Sequence, residues 1–563
     1  MEGTSGRLLH AGRSALLVAI APRHTDLAAD AGPQSRAVLR ILQLGAIGVV
    51  IGALPYSLFD LDRHTVPKEL IAQVTGFGAA IYCLARARRL EITAADALLA
   101  LFLAASLASA VLAENHWLAF RAFGLSVSGA MLFWSARAVA RGGHAERLVR
   151  TLAAAAVLAA GTALLQAYGF ELAVMAERRA PGGTFGNRNF MAHFVALGGP
   201  VLALAGLEAR RRWEMVLWQV GIAIAGAALV LSRSRAAWLA FTVGLALFGI
   251  EGLWAGGLWQ NRSARSRILA LAGAAGLGAM LALLLPNRLE WRSNSPYLDS
   301  VRGLADYREG SGRGRLLQYQ NTLRMAFDHP VAGVGPGNWP VAYPKYTFAG
   351  DPAYDPDDFI PTNPWPSSDW IALLAERGPL ALLAVLVLGA ALALGAWRRW
   401  RQGRQTTEGL EALAALLTLL VLACVSAFDA VLLLPAPTVF IALLLGALIR
   451  PPRRSVLTLE LSDASRSRLA GAVALAGMLL VIHGIGQIGA MAVFSDSRKP
   501  ALLEWAGRLD PGNYRIQMLL GYEWQNRGRC DRARPHAEAA RALYPNHPAP
   551  RQLLAVCRRA VSR

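Results

Sequence analysis

Residues 311–319 read Ser311-Gly312-Arg313-Gly314-Arg315-Leu316-Leu317-Gln318-Tyr319, and after a short gap comes Met325-Ala326-Phe327-Asp328-His329-Pro330-Val331-Ala332-Gly333-Val334-Gly335-Pro336-Gly337-Asn338-Trp339. Both strings lie in a polar, Gly/Pro-rich stretch, 286–366, between two blocks of apolar segments. A connection this long inside an apolar chain is more often a working part than a linker. Its flanks decide the fold. Of the 563 residues, 55% are hydrophobic and 17% charged, too apolar for an ordinary soluble domain. The apolar residues gather into about thirteen runs, each long enough to cross a ~30 Å hydrocarbon layer as a helix.

Before the loop these runs cover about 37–58, 69–85, 95–113, 117–140, 147–168, 189–208, 214–231, 235–257 and 267–285. After it they cover about 375–397, 409–427, 431–450 and 468–492. The expectation is an all-α, polytopic membrane protein of about 12–13 transmembrane helices. The net charge of +20 would suggest a nucleic-acid partner in a soluble chain. Here it reads as topology, and no nucleic acid is expected. Alternate loops carry Arg86/Arg88/Arg89, Arg137/Arg141/Arg147/Arg150, Arg210/Arg211/Arg212, Arg262/Arg265/Arg267, Arg398/Arg399/Arg401/Arg404 and Arg450/Arg453/Arg454. Arginine-rich loops stay in the cytoplasm. That places the 286–366 loop and the C-terminal tail outside, in the periplasm of a bacterium whose inner membrane holds the spans.

The chain then divides into a cytoplasmic extension (1–36), nine spans (37–285), the large loop (286–366), four spans (367–492) and a tail (493–563). The extension holds a short apolar run, Ser14 to Ala21, that weakly imitates a signal peptide. In the tail, short amphipathic helices recur at about the 34-residue period of tetratricopeptide repeats. Two such units rarely stand alone, so the tail is expected to dock on the membrane domain or on a periplasmic protein partner. Cys83 and Cys424 fall in spans, and Cys530 and Cys557 on separate tail helices. The tail pair reads equally as a disulfide or as two buried thiols. No metal-ligand spacing links the four, and no carboxylate pair is arranged for a metal; neither metal nor cofactor is expected.

Three outward connections oppose the charge bias: Glu177-Arg178-Arg179-Ala180-Pro181-Gly182-Gly183-Thr184-Phe185-Gly186-Asn187-Arg188-Asn189-Phe190, Leu231-Ser232-Arg233-Ser234-Arg235-Ala236-Ala237-Trp238, and the large loop with Arg313 and Arg315. A single arginine there is as readily a snorkelling anchor. Three clusters on one face point instead to a shared anion, and the planar guanidinium fork suits a pyrophosphate. Arg121, near the outer end of the fourth span, reads as a snorkelling residue.

These residues resemble the O-antigen ligase and polymerase family of bacterial membrane glycosyltransferases. The resemblance rests on Thr184 to Phe190, on Ser234-Arg235-Ala236 with Trp238, and on Arg315 with Tyr319. It also rests on Asp328-His329-Pro330, Gly333 to Asn338, Asp369-Trp370 and Leu374-Ala375-Glu376-Arg377-Gly378, with Phe59-Asp60 and Pro67-Lys68 nearer the start. It spans roughly residues 40 to 450. It implies transfer of a glycan from undecaprenyl pyrophosphate to a periplasmic acceptor, either lipid A-core, another saccharide or a protein hydroxyl. Arg235 and Arg315 take the family's functional arginine positions, with Arg188, Arg233, Arg313, Asn187 and Asn189 as further pyrophosphate contacts.

One departure matters. Where the family has a histidine proposed to activate the acceptor, this chain has Ser367, and serine is no base at neutral pH. Asp369 ranks first as the replacement, with His193 and His329 behind it. Alternatively, Pro366 to Asp369 is simply a helix cap. A polymerase, a protein O-oligosaccharyltransferase and a non-catalytic or solute-transporting relative remain as other readings.

Overall fold

The computed structural model describes residues 33–561 apart from 60–61, 176–178, 292, 304–309, 349, 356–357, 359, 361, 450–455 and 497–498. Residues 1–32 with the run from Ser14, Asp60, Glu177, Arg178, Arg450, Arg453 and Arg454 therefore lie outside the described residues.

Every apolar run forms a helix. Before the loop these are α1 (Pro33–Ile51), α2 (Asp62–Leu84), α3 (Ala94–Val111), α4 (His116–Arg141), α5 (Ala145–Ala167), α6 (Arg188–Leu207), α7 (Arg212–Ser232), α8 (Arg235–Ile250, continued by a π turn) and α9 (Arg262–Leu284). The large loop carries α10 (Pro296–Arg302), α11 (Gly310–Asp328) and the single turn α12 (Trp339–Ala342). Four apolar helices follow, α13 (Asp369–Gln402), α14 (Thr407–Phe428), α15 (Pro435–Leu448) and α16 (Asp463–Asp496). The tail is α17 (Pro500–Leu509), α18 (Tyr514–Asn526), α19 (Cys530–Leu543) and α20 (Pro548–Val561). Among the described residues, ten helices are long and apolar enough to cross a membrane, with α15 a shorter apolar one. The protein is an all-α polytopic membrane protein, with one addition to that expectation: a two-stranded antiparallel ribbon of β1 (Arg89–Ile92) and β2 (Leu457–Glu460), pairing Arg89 with Glu460.

Helix α6 is the centre, its apolar window wholly buried. Small residues let its neighbours in, because close backbone approach is what holds helices together in lipid. A Cβ at Gly198 would lie 2.4 Å from Ala156 Cβ on α5, and one at Gly199 2.9 Å from Phe241 on α8. Two helices depart from the boundaries read in the sequence, each for a backbone reason. Helix α2 starts at Asp62 and runs through Pro67. Proline withholds a donor from the carbonyl four residues back, and Leu54 N supplies Arg63 O instead at 2.9 Å.

Helix α13 starts at Asp369 and runs on past a break at Gly378 (φ 78°, ψ 173°) and Pro379. The carbonyls freed there would be costly in lipid, and the large loop satisfies them. Val334 N donates to Ala375 O at 2.9 Å, Gly335 N to Glu376 O at 2.8 Å, and Ser109 Oγ to Glu376 O at 2.7 Å. Only glycine fits the crossing, since a Cβ at Gly378 would lie 2.2 Å from Val331 O.

The tail docks on the membrane domain. Leu503, Ala506, Ile516 and Leu520 share an apolar cluster with Phe59, Val66, Met491 and Phe494, and Tyr514 and Met518 pack with Val341 of the large loop. Cys530 and Cys557 are disulfide-bonded, tying α19 to α20, so of the two thiol readings the bridged one describes the fold.

Candidate functional site

The first wall of the site is the turn before α6. Thr184 Oγ1 donates to Val50 O at 2.5 Å. Its carbonyl receives Lys68 Nζ at 2.9 Å and lies 3.2 Å from His64 Nδ1. Gly186 takes φ 74°, where a Cβ would fall 2.4 Å from the His64 ring. Held this way, Asn187 caps α6 by accepting from Asn189 N at 2.9 Å, and Arg188 and Asn189 sit on the first turn.

The second wall is the α7–α8 corner. Arg233 ends α7 in the left-handed region (φ 56°), so Arg235 opens α8 on the same side. Arg233 Nε donates to Ser300 Oγ at 2.8 Å, and Arg235 donates to Gly303 O. The guanidinium carbons of Arg188 and Arg233 lie 5.0 and 4.7 Å from the centroid of the Trp291 ring, a cation–π arrangement that partly offsets their desolvation.

The third wall is α11. Arg315, Gln318 and Tyr319 share one helical face by their i, i+3, i+4 spacing. Gln318 Oε1 accepts from Ser367 N at 3.0 Å and from Ser367 Oγ at 2.5 Å. Tyr319 OH donates to Ser367 O at 3.0 Å and to Ala427 O at 2.7 Å. This clamps α11 across the tops of α13 and α14 with Arg315 facing inward.

The walls enclose a cavity of about 2170 Å³, lined by Asn187, Arg188, Asn189, Arg233, Arg235, Arg315 and Ser367. Among the described residues, Arg188, Arg233 and Arg315 have no acid within ion-pairing distance. Arginines from all three of those connections thus line one chamber.

Several expected site residues are elsewhere. Asp369 is fully buried and does not line the chamber. Its carboxylate accepts from Val431 N at 3.0 Å and Leu432 N at 2.8 Å, so it clamps the α14–α15 connection rather than facing an acceptor. His193 is sealed behind the wall, with Nε2 3.4 Å from Ser234 Oγ. His329 and Arg313 are exposed and off the chamber. The cap reading of Pro366 to Asp369 holds in part: Ser368 occupies the N-cap, without a side-chain cap bond.

Arg179, Trp291 and Asp429 join the site without having been singled out as site residues. Asp429 ends α14, lines the chamber, and accepts from Asn189 Nδ2 at 3.2 Å and from Ala430 N at 2.9 Å. The available signal was a lone carboxylate in the short connection between α14 and α15.

A second part of the cavity lining is also charged. Arg121 is no snorkelling residue: Nε donates to Glu69 Oε2 at 2.7 Å and NH1 to Asp62 Oδ1 at 3.2 Å, with the side chain 16% exposed. Tail residue Arg515 lies 3.5 Å from Asp62 Oδ2. Nearby Asp510, also from the tail, lines the cavity, and burial pushes its carboxyl up.

Fold and site together define a multi-pass membrane protein with an arginine-lined chamber roofed by its large loop. Residues 220–386 match the family model described as O-antigen ligase. The matched segment includes Arg233, Arg235, Arg315 and Ser367 and stops short of Asp429. No curated protein matches the chain.

Proposed function

We propose that the protein transfers a glycan from undecaprenyl pyrophosphate to a periplasmic acceptor, lipid A-core or another saccharide, in cell-surface polysaccharide assembly. The observation that carries this reading is the convergence of Arg188, Arg233, Arg235 and Arg315, from three separate parts of the chain, on one cavity. Arg235 and Arg315 grip the diphosphate, and Arg188 and Arg233 add charge beside Trp291. As the anomeric C–O bond breaks, its electron pair goes to the leaving diphosphate. Arginines fixed in advance favour that developing charge over the ground state.

The acceptor oxygen attacks the anomeric carbon from the opposite face, and its proton passes to Asp429. Asp429 takes this role in place of Asp369 because it faces the chamber and keeps acceptor capacity. The outward placement of the chamber is supported by the arginine-rich opposite loops and by the tail disulfide, which needs an oxidising compartment.

The test is Arg235→Ala and Arg315→Ala in the full chain. Each is expected to abolish glycan attachment at unchanged protein level. Normal glycan display in both variants would sink the assignment.

A further inference from the structure

The chamber continues along α13 as an apolar shaft lined by Phe102, Leu125, Leu388, Leu392, Ile441 and Leu445, from α3, α4, α13 and α15. Leu392 lies roughly 20 Å along the helix from Arg377, at ~1.5 Å rise per residue. Arg377 lines the same cavity beside Phe102, one of the residues of this apolar part. It is 4% exposed. NH1 donates to Ser106 Oγ at 3.1 Å and Ser126 Oγ at 2.8 Å, the Phe102 ring centroid lies 5.2 Å from the guanidinium carbon, and Nε has no partner.

The adjacent carboxylate, Glu376, is turned to Trp339 N at 3.1 Å. Among the described residues no acid is within ion-pairing distance of Arg377. Two hydroxyls solvate a guanidinium only partly, and Glu376, its Oε1 taken by Trp339 N, acts on it through space without an ion-pair contact. Inside a membrane-spanning helix that arrangement is costly unless an anion joins it. An anion carried on a hydrocarbon chain would satisfy both halves of the feature, the cation and the apolar walls beside it.

We propose that Arg377, with Ser106 and Ser126, is the headgroup site for a phosphate-bearing membrane lipid whose chain occupies the shaft. This site is separate from the arginines assigned to the diphosphate and does not depend on the transferase reading.

The test uses full-length protein in phosphatidylcholine nanodiscs doped with phosphatidylglycerol, with retained lipid counted by native mass spectrometry. Wild type is expected to keep phosphatidylglycerol in preference to phosphatidylcholine, and Arg377→Gln to lower its occupancy about tenfold, as loss of one charge-assisted contact does. Gly389→Leu is the second variant. Gly389 lines the cavity and a Cβ there meets nothing within 4 Å, so the leucine obstructs the shaft without touching Arg377. It too should lose the lipid. The double variant Arg235→Ala/Arg315→Ala should retain it. Equal retention by Arg377→Gln and Gly389→Leu overturns the site. So does loss of the lipid from the double variant, or its complete displacement by inorganic phosphate. If Arg377→Gln fails to fold, Gly389→Leu decides.

Discussion

One cavity has two arginine-bearing sides that are electrostatic opposites. On the first, Arg188, Arg233 and Arg315 face the chamber with a tryptophan, hydroxyls and carbonyls around them but no acid in ion-pairing range among the described residues. On the second, Arg121 is saturated by Glu69 and Asp62, and Arg515 adds a further contact to Asp62. The difference teaches how to read a buried arginine in a membrane protein. One whose charge is already cancelled holds the fold, and one whose charge is left open waits for an anion.

The largest effect should come from the first side. Replacing Arg235 and Arg315 together by Ala should lower glycan transfer by about 10⁴-fold or more, each donor accounting for about 10²–10³. Thermal stability should stay near wild type. A large loss of stability would mean these arginines hold the fold after all, and the contrast between the sides would vanish. Next, Arg121→Gln should leave the half-buried Glu69 without its ion-pair partner while Arg515 still faces Asp62, and cost about 1–3 kcal/mol. A melting curve, with limited proteolysis of the tail, reads that loss, whereas diphosphate binding by the folded fraction should be unchanged.

Third, Asp429→Asn should lower turnover about 10²-fold with little change in folding. Asp369→Asn should do the reverse, lowering the melting temperature more than turnover. Fourth, Cys530→Ser with Cys557→Ser should destabilise the tail by about 3 kcal/mol, read as faster proteolysis of α19 and α20. Smallest of all, Arg313→Ala and His329→Ala should leave activity and stability unchanged within assay error, since both side chains are exposed and off the chamber.

The spans were legible because a run of about twenty apolar residues has few alternatives to crossing a bilayer. Their ends were less so. Pro67 and Gly378-Pro379 look like helix boundaries in one dimension, yet Leu54, Val334 and Gly335 supply the missing donors from elsewhere in the chain. Arg188, Arg233, Arg235 and Arg315 could be picked out because each opposes the charge bias of its side. The base could not. Asp369 stands near the place where the family's pattern puts its catalytic group, and only the fold shows its carboxylate spent on Val431 and Leu432. Asp429 carries no motif, and its value comes from lying beside Asn189, which is remote in sequence.

The splice at Gly378 has a mechanical consequence. Because amides of Val334 and Gly335 complete the backbone ladder of α13, the Gly-rich hairpin is bolted to a transmembrane pillar rather than hung from flexible straps. Lifting it like a hatch would strand the Ala375 carbonyl, at several kcal/mol in hydrocarbon, and leave Glu376 O to Ser109 Oγ. Traffic through the chamber therefore has to pass around this fixed corner, sideways between helices or over other parts of the rim.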